Sequence, residues 1–141
     1  MEYRLRLGTG HLERLYHHAE TCLPLESVAL LFGSVEEDTI VVNRVELTEN
    51  MAESRTTFSI DPVLQYNLFV KAEELGEDLV CIFHSHPAPP APSKTDLKNM
   101  VLNSVVWLIA SKQTGTWESR AFILDDGQPV EIIVTFSEEE T

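Results

Sequence analysis

At 141 residues, with 43% hydrophobic and 23% charged side chains, the chain has the length and composition of one globular domain rather than a disordered segment. Its 23 acidic residues against 10 basic ones give a net charge of −13 with histidine neutral. That balance repels nucleic-acid phosphates and anionic lipid, and it argues against nucleic acid or membrane as partner.

The N-terminal run MEYRLRLGTGHLERLYHH is broken by charge every few residues, so it reads as neither a secretion signal nor a membrane span, and the cytoplasm is the expected location. Residues 11–22 place Leu12, Leu15, Tyr16 and Ala19 at helical spacing and stop before Pro24, which predicts an amphipathic helix. His17 and His18 are adjacent on it. Adjacent helix side chains diverge by about 100°, so the pair reads as solvated histidines rather than as a metal site. Residues 27–35 (SVALLFGSV) and 39–47 (TIVVNRVEL) read as paired strands around a hairpin loop at 36–38.

Residues 48–55 are polar and read as a surface loop, and 56–60 as a short extended piece. Asp61 and Pro62 open a second helix, with proline at its first position, and Gly76 closes it. A central strand covers 79–84, a third helix begins at Ser93, and 105–110 (VVWLIA) is another apolar strand. Residues 117–124 and 130–136 form a last strand pair about Asp125-Asp126-Gly127, and 137–141 reads as a frayed acidic tail. The order α-β-β-β-α-β-α-β-β-β predicts a single α/β domain over residues 1–136, a mixed, curved β-sheet flanked by helices. Cys22 and Cys81 form no CxxC pair; both read as buried thiols, with a disulfide between them left open.

The chemistry-bearing stretch is 79–100, LVCIFHSHPAPPAPSKTDLKNM. Side chains of an extended strand alternate faces, so His84 and His86 project to the same side at the rim of an apolar strand. Four of the chain's seven prolines lie in the six residues between His86 and Ser93. Such a stiff loop loses little entropy in returning Asp96 to the two imidazoles. Two histidines and one carboxylate make the three protein ligands of an open zinc site, one zinc per chain. Ser93 and Asp96 also have the spacing of a capping box, a local role compatible with the metal role. A hydrolytic site further needs a base. Glu26, at the entrance of the apolar strand that begins at Val28, is the best placed of the acids, although by position alone an ordinary polar residue closing a loop is the stronger reading.

Pro24-Leu25-Glu26-Ser27-Val28 through Gly33, then His84-Ser85-His86-Pro87, then Pro92-Ser93-Lys94-Thr95-Asp96-Leu97 resembles the JAMM (MPN-plus) zinc metalloprotease family in its prokaryotic single-domain form. The Phe58-Ser59-Ile60-Asp61-Pro62 stretch extends the resemblance, and nine residues separate His86 from Asp96 where the family usually has ten. The resemblance implies an MPN/JAMM-like fold with deaminase-like layering. It implies zinc on His84, His86 and Asp96, Glu26 as general acid/base, and Ser93 stabilising the oxyanion of the reaction. The implied activity is peptide or isopeptide hydrolysis after the C-terminus of ubiquitin-like or sulfur-carrier proteins, whose conjugates are the implied partners. A barrel amidohydrolase needs about 250 residues. A zinc deaminase needs CxxC, a zincin needs HExxH, and an all-β cupin leaves no place for three helices. The remaining alternative is a non-catalytic scaffold or binding module of the same fold.

Overall fold

The computed structural model describes residues 2–52 and 54–138. Along the chain run β1 (Arg4–Gly8), α1 (Thr9–Cys22), β2 (Val28–Glu36), β3 (Thr39–Thr48) and α2 (Pro62–Leu75). There follow β4 (Asp78–Ser85), α3 (Lys94–Leu102), β5 (Val106–Ser111), β6 (Glu118–Asp125) and β7 (Gln128–Ser137). The strands lie in the order β1-β3-β2-β4-β5-β6-β7. β7 pairs back onto β1, so the sheet closes into a barrel.

The sheet is mixed and curved, with helices packed on it, as the sequence predicts. The expected helix-flanked curved sheet is corrected to a closed barrel. The cause is β1, which the element order from sequence lacks. Leu5 and Leu7 are fully buried while Arg4 and Arg6 face water, a two-residue alternation that only a strand produces. Paired parallel to β3 through Arg4–Arg6 and to β7 through Arg4–Gly8, this strand bridges what would have been two free edges. The opposite correction applies to residues 56–60, which stay outside the sheet and turn Phe58 and Ile60 toward the core instead. Of the expected loop 48–55 and tail 137–141, residues 53 and 139–141 lie outside the described residues, and Ser137 ends β7.

The barrel wall has two apolar faces, which explains why β2, β4 and β5 read as unbroken hydrophobic runs. Ala29, Leu31, Cys81, Phe83 and Leu108 face α1, which adds Leu15 and Ala19. Val28, Leu30, Phe32, Ile82 and Trp107 face the other way, under Leu68 and Ala72 of α2 and Met100 of α3. Cys22 and Cys81 are both free, and burial pushes the Cys81 thiol pKa well up.

Local chemistry fixes the joints. Asp61 caps α2 by accepting from the Val63 N–H, Pro62 occupies its first turn, and Gly76 ends it at φ 70°. Asp126 and Gly127 both have positive φ, the geometry of a tight hairpin turn between β6 and β7. Gly33 sits where the β2–β3 register shifts, and a Cβ there would lie 1.8 Å from the Val41 carbonyl oxygen.

Candidate active site

The site lies where β2 enters the sheet and β4 leaves it. Val28 pairs with His84 across the antiparallel β2–β4 ladder. Side chains of even number from 82 to 86 therefore share a face with those from 26 to 32, the face covered by α2 and α3. Glu26, two residues before β2, stands on the same side as His84 and His86, although nearly sixty residues separate it from them in sequence.

His84, Glu26, His86 and Asp96 are all buried, His84 completely. His84 Nε2 stands 3.2 Å from Asp96 Oδ1, and its Nδ1 stands 3.4 Å from Glu26 Oε1. His86 Nε2 is 3.7 Å from Asp96 Oδ2. One donor atom from each of His84, His86 and Asp96 falls within 4.8 Å of the others. The nine-residue connection thus brings Asp96 to both imidazoles. Within it, the Ala88 and Ala91 carbonyls each lie 3.2 Å from a ring nitrogen of His86, so the proline-dense loop folds around that imidazole.

Asp96 is held as well as placed. Its N–H donates to Ser93 Oγ at 3.1 Å, and its Oδ2 accepts the Ser93 N–H at 2.9 Å, a reciprocal capping box at the start of α3. Ser93 itself is exposed at the rim. Aromatic rings wall the other side: Phe58 lies 5.2 Å from the His84 ring and Trp107 meets it edge-on at 5.8 Å. Phe58 belongs to the stretch that sequence alone singled out only for its resemblance. Its contact with His84 has no local signal, because residues 56–60 carry no strand or helix period. His17 is exposed, while His18 Nε2 lies 3.0 Å from the Thr48 carbonyl and 3.2 Å from that of Val28, so these two histidines form no metal pair.

The electrostatics suit a cation. Burial favours a neutral His84, but the Asp96 and Glu26 carboxylates on either side outweigh it and hold the imidazole pKa up to about 9. Burial likewise opposes ionisation of Asp96, and His84 with the two Ser93 hydrogen bonds overcomes it, leaving the carboxyl below its ordinary range. Yet both His84 nitrogens and Glu26 Oε1 lack an aligned hydrogen-bond partner. The carboxylates face the ring as charges, and a buried set of unaligned donors of this kind fits a bound divalent metal. Two imidazoles and a carboxylate are the ligand types zinc takes.

The family of prokaryotic homologues of the JAB domain matches residues 8–123. A desampylase of Pyrococcus furiosus is 34% identical over 103 residues, covering 72% of this chain and 69% of that protein. A probable TtuB-protein conjugate cleaving protease of Thermus thermophilus is 34% identical over 132 residues, covering 92% of this chain and 82% of that protein. The solution structure of a Desulfitobacterium hafniense protein superimposes with a TM-score of 0.84 at 30% identity, covering 96% of this chain and 94% of that one.

Proposed function

From the premise that the chain belongs to the prokaryotic JAB-domain, JAMM-type family, we propose that it is a zinc-dependent peptidase or isopeptidase acting on conjugates of ubiquitin-like or sulfur-carrier proteins. The observation that carries this reading is the buried His84–His86–Asp96 group with the Glu26 carboxylate against the same imidazole. His84, His86 and Asp96 would hold the zinc, which when bound supplies Lewis acidity toward a carbonyl and toward water.

The chain's own residues supply the rest. Glu26 stands beside the ring of His84, its Oε1 3.4 Å from Nδ1, with Asp96 Oδ1 3.2 Å from Nε2. With its Oε1 free of any aligned partner, Glu26 takes a proton from the attacking water and returns it to the leaving amine. Ser93, whose Oγ accepts the Asp96 N–H in the cap, stands at the rim, and its hydroxyl donates to charge developing on the substrate carbonyl oxygen. Phe58 and Trp107 exclude water from the buried flank of His84 and lower the local dielectric.

The Pyrococcus furiosus and Thermus thermophilus relatives are named a desampylase and a probable TtuB-protein conjugate cleaving protease, and the substrate class proposed here follows those names. No described helix is long and apolar enough to cross a membrane. The test is to incubate the zinc-loaded chain with its host's own ubiquitin-like proteins, each fused at its C-terminus to a reporter, and to locate the cut by mass spectrometry. Cleavage directly after the ubiquitin-like C-terminus, stopped by a chelator and restored by zinc, is expected. Intact fusions across the whole set would overturn the reading.

A further inference from the structure

The residue between the two histidines has no part in the chemistry above. Ser85 points to the opposite face of β4 from His84 and His86, and it is buried. There its Oγ lies 2.6 Å from the Oγ of Ser27, which is also fully buried, and it accepts the Ser27 N–H at 3.1 Å. The Ser85 N–H in turn donates to the Ser27 carbonyl at 3.1 Å.

In a regular antiparallel pair the Ser27 N–H would donate to the Ser85 carbonyl. Here the side-chain hydroxyl of Ser85 takes over as acceptor, at the rung just before β2 joins the ladder at Val28. The next residue outward is Glu26, whose backbone is pinned by two further bonds. Its N–H donates to the Ser54 carbonyl at 2.8 Å, and its carbonyl accepts from Asn50 Nδ2 at 2.9 Å. Glu26 therefore stands on a main chain held from both sides, and its carboxylate meets His84 Nδ1 at 3.4 Å.

We propose that Ser85, acting through Ser27, is a positioning residue: its hydroxyl fixes the rung from which the Glu26 carboxylate is aimed at the His84 face. This inference rests on the metallopeptidase reading. It assigns Ser85 a task that no metal ligand performs, because its oxygen lies on the far side of the strand from the ligating group. Removing the Ser85 hydroxyl takes away the acceptor for the Ser27 N–H and, with it, the hydroxyl partner of Ser27. Removing the Ser27 hydroxyl loses only the contact between the two oxygens. The two deletions are therefore unequal.

The experiment compares wild type, Ser85→Ala, Ser85→Thr and Ser27→Ala for kcat, KM, zinc content and amide exchange at residue 27. Ser85→Ala should lose about ten- to a hundred-fold in kcat, the range for a misplaced catalytic group, with KM and zinc content unchanged. Its residue 27 amide should exchange about ten-fold faster or more, since its acceptor is gone. Ser85→Thr, which keeps the hydroxyl, should recover most of the kcat, and Ser27→Ala should fall between wild type and Ser85→Ala in both readouts.

Wild-type kcat in Ser85→Ala, or zinc lost in step with activity, would overturn the proposal. Should Ser85→Ala not fold, Ser27→Ala decides: wild-type kcat together with wild-type exchange there overturns it. If the wild-type chain cleaves nothing, the peptidase reading falls instead, and the exchange comparison alone decides whether Ser85 holds the rung.

Discussion

Glu26→Gln separates the base from the metal. The substitution keeps the volume and one oxygen of a side chain that is 3% exposed, so it opens no cavity. What changes is the charge 3.4 Å from His84 Nδ1 and the capacity of Oε1 to take a proton. None of the three groups proposed to hold the metal is altered, since those are His84, His86 and Asp96. General-base catalysis contributes about 10²–10⁴-fold, which corresponds to about 3–5 kcal/mol of barrier. The variant should therefore lose two to four orders of magnitude in kcat, on the order of that range, while binding zinc in the wild-type amount. A fluorogenic fusion of the cleaved ubiquitin-like protein gives the rate, and elemental analysis of the same sample gives the metal. A variant retaining more than about a tenth of wild-type kcat would remove Glu26 from the role of base. Loss of zinc in the variant would show instead that Glu26 helps to hold the metal.

Two stability measurements test the packing around the site. Gly33→Ala would place a Cβ 1.8 Å from a backbone oxygen, which only movement of β3 against β2 can relieve. It should cost about 3 kcal/mol or more in chemical denaturation, and an unchanged midpoint would contradict the close approach seen at that register shift. Tyr16 is half-buried with its hydroxyl 2.8 Å from Ser119 Oγ, and burial raises its pKa above the ordinary value near 10 despite that hydrogen bond. The unfolded chain therefore loses the tyrosine proton before the folded one does. Stability from this group is full below pH 10 and declines as pH climbs above it. Tyr16→Phe should be less stable by about 1 kcal/mol at pH 7, with the gap narrowing above pH 10. A gap that stays constant through that window would refute the assignment.

The legibility of this chain was uneven for physical reasons. The helices at 62–75 and 94–102 were readable because their ends carry their own chemistry: Asp61 with Pro62, Gly76, and the Ser93–Asp96 box. The strand at 4–8 is hard to read because five residues with two arginines look polar when averaged, and only the alternation of Leu5 and Leu7 marks it. Closure of the barrel was lost with it, since closure depends on the pairing of β1 with both β3 and β7, a long-range fact absent from any local window. At the site, His84 and His86 share a face by strand period, which any reader of the sequence can apply. Glu26 reads from sequence only as the acid best placed at a strand entrance; its role comes from the family resemblance, because its approach to His84 depends on the Val28–His84 register, which only the fold supplies. Phe58 and the Ser27–Ser85 pair were illegible because they act through contacts between segments with no spacing rule.

The central claim is that His84, His86 and Asp96 hold one zinc, and native mass spectrometry of the purified chain tests it directly. One zinc per chain is expected in wild type, with loss of the metal in His86→Ala at the same zinc concentration. A wild-type chain that takes up no zinc when zinc is supplied in excess, or a His86→Ala chain that still carries one, would contradict it.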